Sequence, residues 1–198
     1  MAGRRWMSVW YILTAPLMLW DAGYCLMRPR SMVGGDLHWI WPVYDFYGKV
    51  DHVYGVQAFE NGDGFANAAA VLNVIENIFA ILYLWFTHIC PSEFAPLAGY
   101  TGSAMTLAKT LLYVFQEYFC GFCAIGHNTL SGMVLYWILP NLAWTTISIL
   151  IMYHLGKDIQ SAMKTASSLS TTTSPPSSNG LNKQSNGHAR NSSSKCEK

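Results

Sequence analysis

Asp21, Glu76, Lys109 and Glu117 stand inside long apolar stretches of a 198-residue chain. An ionisable side chain at the centre of a bilayer costs about 2.5–3.5 kcal/mol on insertion scales, so it persists only when paired or facing a cavity. Glu76 sits between Asn73 and Asn77, and Glu117 is followed by Tyr118. A fourth apolar stretch carries no charge but is interrupted by Pro140-Asn141 and Trp144. Two carboxyls in one dry pocket can hold a proton between them, which is the equipment for moving a proton on and off carbon. If an alkene were protonated, the faces of Trp144, Tyr47 and Tyr113 would stabilise the carbocation without attacking it. The substrate would then be a rigid, lipid-soluble hydrocarbon that enters from the membrane. The sequence contains no phosphate loop, nucleotide fingerprint or metal cluster, so a cofactor-free reaction fits best. The same cavity could bind a lipid or an amine with no chemistry at all.

Helical spacing sorts these residues onto faces. Asn73, Glu76, Asn77 and Ala80 follow an i, i+3, i+4, i+7 pattern. Asn141, Trp144 and Ser148 share a face in the same way. So do Lys109, Tyr113, Gln116 or Glu117, and Cys120, while Asp21 shares its face with Leu17, Tyr24 and Cys25. Polar stripes on four membrane helices must converge on one interior, because nothing else hides them from lipid. Simpler roles account for some of them. Asn77 and Ser148 suit interhelical hydrogen bonding, and Lys109 could snorkel or neutralise Glu117. Trp20, Trp85 and Trp137 suit packing or an interfacial belt. His38, His88, His127 and His154 fall near stretch ends or in loops.

The elements that must position these groups follow from composition. Hydrophobic residues make up 52% of the chain and charged residues 12%, about half the charge of an average soluble domain; mean hydropathy is +0.20. Six of the twelve Lys and Arg lie from Lys157 onward and two more are Arg4 and Arg5. So cation-poor a body, holding nearly all the Trp and Tyr, implies an all-α polytopic membrane bundle. The net charge of +1 and the lack of basic clusters argue against nucleic acid as a partner. Five scattered cysteines are read as neither a zinc site nor a disulfide framework.

Four stretches approach the roughly 20 residues a spanning helix needs: Trp6 to Met27, Gly64 to His88, Ala98 to Phe122 and Leu130 to Leu155. The first holds Asp21 and lacks a small-residue cleavage pattern, so it reads as a retained span rather than a signal peptide. Four spans put both termini on one side, and Arg4, Arg5, Lys157 and Lys164 make that side cytoplasmic. Ser31 to Asp63, rich in Gly, aromatics and acids, is expected to form an ordered interfacial loop over the bundle mouth, with a short helix. The expected domains are a transmembrane bundle over 1–156 and a disordered polar tail over 157–198.

Several dispersed motifs run in a familiar order. They are Asp21 near the end of the first span, Tyr47-x-Lys49-x-Asp51-x-x-Tyr54, Gly62-Asp63-Gly64-Phe65 followed by Glu76, Leu112-Tyr113-Val114-Phe115-Gln116-Glu117, and Asn141-Leu142-Ala143-Trp144. Together, over roughly residues 8–156, the chain resembles the EXPERA family, which includes emopamil-binding sterol isomerases and the sigma-2 receptors. The resemblance implies an endoplasmic-reticulum helix bundle with a cavity open to the membrane and a homodimer as one possible assembly. It implies Asp21 and Glu76 as proton donor and acceptor. It places Tyr47, Asn141 and Trp144 on the pocket wall, and Asp51, Tyr54, Asn73, Tyr113 and Glu117 around the substrate. The isomerase has a histidine four residues before its first acid; here that position is Leu17, and the acid is the shorter Asp, as in the sigma-2 branch.

The leading expectation is therefore a cofactor-independent isomerase shifting a C=C bond in a sterol or related terpenoid. The alternatives are a non-catalytic protein that binds or traffics sterols or cationic amphiphiles, and a membrane terpenoid cyclase.

Overall fold

The computed structural model describes residues 5–172. Among them every regular element is helical. Helix α1 covers Arg5–Leu26, α2 Tyr44–Val50, α3 Val56–Glu60, α4 Phe65–Leu84, α5 Ala95–Phe119, α6 Leu130–Met133 and α7 Leu139–Thr172. A π-helical turn, Trp85–Ile89, prolongs α4, and another, Val134–Ile138, joins α6 to α7. Among the described residues, two helices are long and apolar enough to cross a membrane by length and composition, Phe65–Ile89 and Leu130–Leu169. The other two long helices dilute their apolar content. Asp21 and several Trp and Tyr stand in α1, and Lys109, Glu117 and a run of Gly, Ser and Thr stand in α5.

Helix α4 packs along both α1 and α5, and α7 packs along α5. The α4–α5 approach depends on small residues. A Cβ at Gly102 would sit 3.0 Å from the Phe79 Cβ, and one at Gly99 would sit 2.7 Å from the Tyr83 ring. Small residues at such positions let helix backbones close in. Two cores cap the bundle. Met7, Tyr11, Tyr83, Ile151 and Leu155 fill one end. Tyr24, Trp41, Tyr44, Val53, Ile125 and Trp137 fill the other. Outward faces remain apolar, with Ile12, Leu13, Ile78, Phe115, Leu142 and Ile149 all exposed.

The loop after α1 is ordered, as its aromatic content predicts, and it holds two short helices where one was expected. Tryptophan indoles tie it down: Trp41 Nε1 donates to the Trp20 carbonyl at 2.8 Å, and Trp20 Nε1 to the Ile40 carbonyl at 3.2 Å. The Ser31 hydroxyl donates to the Tyr24 carbonyl at 2.6 Å. A second loop, 120–129, docks on it. His52 N–H reaches the Ala124 carbonyl at 3.1 Å, Asn128 Nδ2 reaches the Val50 carbonyl at 2.7 Å, and the His52 and His127 rings stack at 3.8 Å.

Two expectations need correction. The polar tail was to begin at 157, yet α7 continues without a break to Thr172. Ala162, Met163 and Lys164 are good helix formers. The hydroxyls of Ser161 and Thr165 bond back to the carbonyls of Lys157 and Ser161 instead of competing with the helix. The remainder of the expected disordered tail, 173–198, lies outside the described residues. The cysteines were read as forming no disulfide, but Cys120 and Cys123 are bridged across the end of α5. Their C-x-x-C spacing was the overlooked signal. The carboxylate of Glu117 lies within 4.8 Å of both sulfurs, but sulfurs joined to each other are not available as thiolate ligands.

Candidate functional site

Between the two cores lies a cavity of about 520 Å³, inside the range of about 300–1,000 Å³ typical of small-molecule sites. Helix α1 contributes Leu17, Met18, Trp20 and Asp21 to its wall. Helix α2 and the turn after it add Tyr44, Phe46, Tyr47 and Tyr54. Helix α4 supplies Phe65, Ala69 and Asn73, and α5 supplies Thr106, Lys109, Thr110 and Tyr113. Tyr136, Pro140, Asn141 and Trp144 close the remaining side. The wall is mostly apolar and aromatic, with its formal charges confined to Asp21 and Lys109.

The polar side chains form one connected chain across four helices, α1, α2, α4 and α5. Asp21 Oδ1 accepts the Tyr44 hydroxyl at 2.5 Å, and Asp21 Oδ2 accepts Asn73 Nδ2 at 3.0 Å. The Asn73 oxygen in turn accepts from Lys109 Nζ. Lys109 Nζ also reaches Glu76 Oε2 at 2.8 Å, with side-chain exposures of 13% and 3%. The Thr106 hydroxyl donates to that same Glu76 oxygen at 2.8 Å. The α4 spacing explains the arrangement: residues i, i+3 and i+4 fall on one face, and Asn73, Glu76, Asn77 and Ala80 are all buried there. With Asp21 and Glu76 ionised and Lys109 protonated, the cluster holds two negative charges against one positive.

Aromatic rings surround Asp21. Tyr44 stacks on Tyr24 at 3.8 Å and meets Trp20 at 5.3 Å, and Tyr47 meets Tyr54 at 5.1 Å. Burial, reinforced by the Asp21 charge, pushes the Tyr44 hydroxyl far above the ordinary phenol range, so it stays a proton donor. Burial does the same to Tyr47 and Tyr54. On the far wall Phe65 stacks on Tyr113 at 5.7 Å, and Tyr113 meets Trp137 at 5.6 Å. The Tyr113 hydroxyl is buried with no hydrogen-bond partner among the described residues.

Most of the residues expected at a site converge on this cavity: Asp21, Tyr47, Tyr54, Asn73, Tyr113, Asn141 and Trp144 all line it. Three do not. Glu76 is not on its wall; it lies behind Lys109 and Thr106 and faces a much smaller pocket beside Trp10, Tyr11 and Ser103. Asp51 and Glu117 are also off the wall, each with no exposed surface. Asp51 Oδ1 accepts the Val53 N–H at 3.1 Å and starts the 3₁₀ turn His52–Tyr54. Glu117 Oε2 accepts the Ala124 N–H at 3.2 Å. These two acids hold the two loops rather than the cavity contents. Burial, with the nearby Glu117 charge adding to it, pushes the Asp51 carboxyl up to about 7 against the opposing Val53 hydrogen bond. Lys109 was paired with Glu117 as one expectation; its partner is Glu76.

Sequence reasoning missed Tyr44, the direct partner of Asp21, because it lies on a short interfacial helix with no long period to read. It also left Trp20 to the packing and Lys109 to a passive role. As the lone cation of the third apolar stretch, Lys109 was the available signal. No protein-family model, characterised protein or solved structure matches this chain.

Proposed function

We propose that this chain is a four-span membrane protein of the EXPERA type, and that its cavity shifts a C=C bond in a sterol or terpenoid by proton transfer through Asp21. The observation that carries the reading is Asp21 itself. A carboxyl with both oxygens held by Tyr44 and Asn73 stands on the wall of a 520 Å³ aromatic cavity. General acid–base catalysis needs a group fixed within reach of the reacting carbon, and a dry apolar pocket strengthens its electrostatics. Glu76, set behind Lys109, acts here as the lysine's counter-charge and not as a second group on the substrate.

The membrane reading draws on the two long apolar helices and on the apolar outward faces of the bundle. Helices α1 and α5, with their polar residues turned inward, would complete four spans. Arg4, Arg5, Lys157 and Lys164 would then put both termini in the cytoplasm, with the endoplasmic reticulum as the compartment the EXPERA resemblance implies.

The test uses the purified full-length protein in lipid nanodiscs, in deuterated water, with a panel of unsaturated sterols and terpenoids. Deuterium should appear on a ring or chain carbon of at least one member, and Asp21→Asn should abolish it. Ligand binding with no deuterium on any carbon would overturn the isomerase reading.

A second reading follows from the charge count. Two carboxylates against one ammonium, ringed by Tyr44, Tyr47 and Tyr54, also suit a cationic amphiphile held without turnover. That reading requires Asp21→Asn to abolish binding of a lipophilic amine; unchanged affinity removes it.

A further inference from the structure

The positive group on the cavity wall is at odds with a carbocation. Lys109 lines the cavity beside Asn73, and an ammonium placed there repels a cation forming in the bound substrate. It attracts a developing oxyanion instead. Two of its three N–H donors are engaged, by Asn73 and by Glu76 Oε2 at 2.8 Å. The third has no partner among the described residues. Paired with Glu76, the group has no free electron pair and is not equipped to form an imine. It is equipped to donate a hydrogen bond. Resting on the isomerase reading above, this gives the site a substrate class.

We propose that the substrate carries a carbonyl one carbon away from the migrating double bond, a β,γ-unsaturated ketone of sterol or terpenoid size, and that Lys109 receives its oxygen. Asp21 and Lys109 are joined through the single amide of Asn73, so base and oxygen donor share one wall. The Asp21 carboxylate removes the proton from the carbon between C=O and C=C. The C–H pair becomes the new C=C bond of a dienolate, and the carbonyl π pair moves onto oxygen, beside Lys109. Asp21, its proton exchanging with solvent while on the carboxyl, then delivers a proton to the far alkene carbon, the oxygen pair re-forms C=O, and the product is the conjugated enone. Nothing is oxidised or reduced, Lys109 keeps its protons throughout, and the negative charge only moves from Asp21 to the oxygen and back. Glu76 and Thr106 are positioning residues that hold the ammonium in place. Preorganised donors of this kind act where charge develops in the transition state.

The experiment gives full-length protein in nanodiscs a steroid 5-en-3-one, followed by growth of the enone ultraviolet band. The carbonyl-free 5-ene and 8-ene sterols, in deuterated water, run beside it. The ketone should turn over, the carbonyl-free alkenes should gain no deuterium, and Lys109→Met should slow the ketone about 100-fold or more. A phenolic steroid, which mimics the dienolate, should bind as the phenolate to the native protein, visible as a red-shifted absorbance. With Lys109→Met the bound phenol should stay neutral. Should Lys109→Met fail to fold, the substrate comparison and the phenolate band of the native protein still decide. Deuterium entering a carbonyl-free sterol as fast as the ketone isomerises would overturn this proposal while leaving the isomerase reading standing. A neutral bound phenol in the native protein would also overturn it. Turnover of no alkene at all would overturn both.

Discussion

Asp21 and Lys109 meet through one shared amide: Asn73 donates an N–H to the carboxylate at 3.0 Å and accepts an N–H of the ammonium on its oxygen. The lysine settles which way that amide points, because an ammonium has no lone pair to accept from an NH₂ group. The amide in turn aims a donor at Asp21. A base on α1 and a cation on α5 are thereby held in register by a residue of α4.

Replacing Asn73 with Leu keeps the volume and removes both bonds. Buried partners left unsatisfied cost about 1–3 kcal/mol, so Asn73→Leu should lower the unfolding midpoint in detergent and depress turnover. A midpoint and a rate equal to those of the native protein would contradict the shared-amide geometry.

The Lys109–Glu76 pair should show its coupling in a double-mutant cycle. Breaking a buried ion pair by removing one partner costs about 3–5 kcal/mol, because an uncompensated charge remains. Glu76→Gln and Lys109→Met should each destabilise strongly in thermal unfolding, and the double variant should be more stable than either. Additive losses would mean that the two side chains act independently.

Tyr44→Phe removes the hydroxyl 2.5 Å from Asp21 Oδ1 and little else. A hydrogen bond to a charged group is worth about 1.5–3 kcal/mol. Turnover should therefore fall by roughly 10- to 100-fold, with the circular-dichroism spectrum unchanged. Full activity in Tyr44→Phe would show that Asp21 does not need this donor.

Stability should fall as pH rises, owing to Asp51. Its carboxyl ionises at about 7 in the fold against 3.8 ordinarily, so between those values the folded chain binds the proton that the unfolded chain has lost. Stability from this group is complete below the unfolded value and declines until pH passes the folded one. Asp51→Asn should flatten that slope, as read from unfolding midpoints at about pH 5 and about pH 8. An unchanged slope would assign the effect to another group.

The residues show which parts of this arrangement could be read in advance. In α4, Asn73, Glu76, Asn77 and Ala80 repeat at helical spacing and are all buried. In α7, Asn141 and Trp144 reach the cavity and Ser148 is buried beside them. Polar groups on an otherwise apolar helix must face inward, so period alone identified the inward faces and the residues that share them. The helical class and the ordered aromatic loop were legible for the same reason. The expected start of the tail at 157 was set too early because composition was weighed above propensity, and α7 runs on to Thr172.

What the sequence determined by itself was therefore the set of side chains turned inward by each long helix, since that depends only on a 3.6-residue period and the cost of exposing charge to an apolar surround. The tertiary structure alone decided who meets whom. Lys109 lies about two turns from Glu117 along α5, and only the relative slide and rotation of α4 and α5 gave it Glu76. Tyr44 reaches Asp21 because a loop with no long period folds back over α1, while Asp51 and Glu117 went to the loop junction. Pairings across elements depend on offsets that no local repeat encodes.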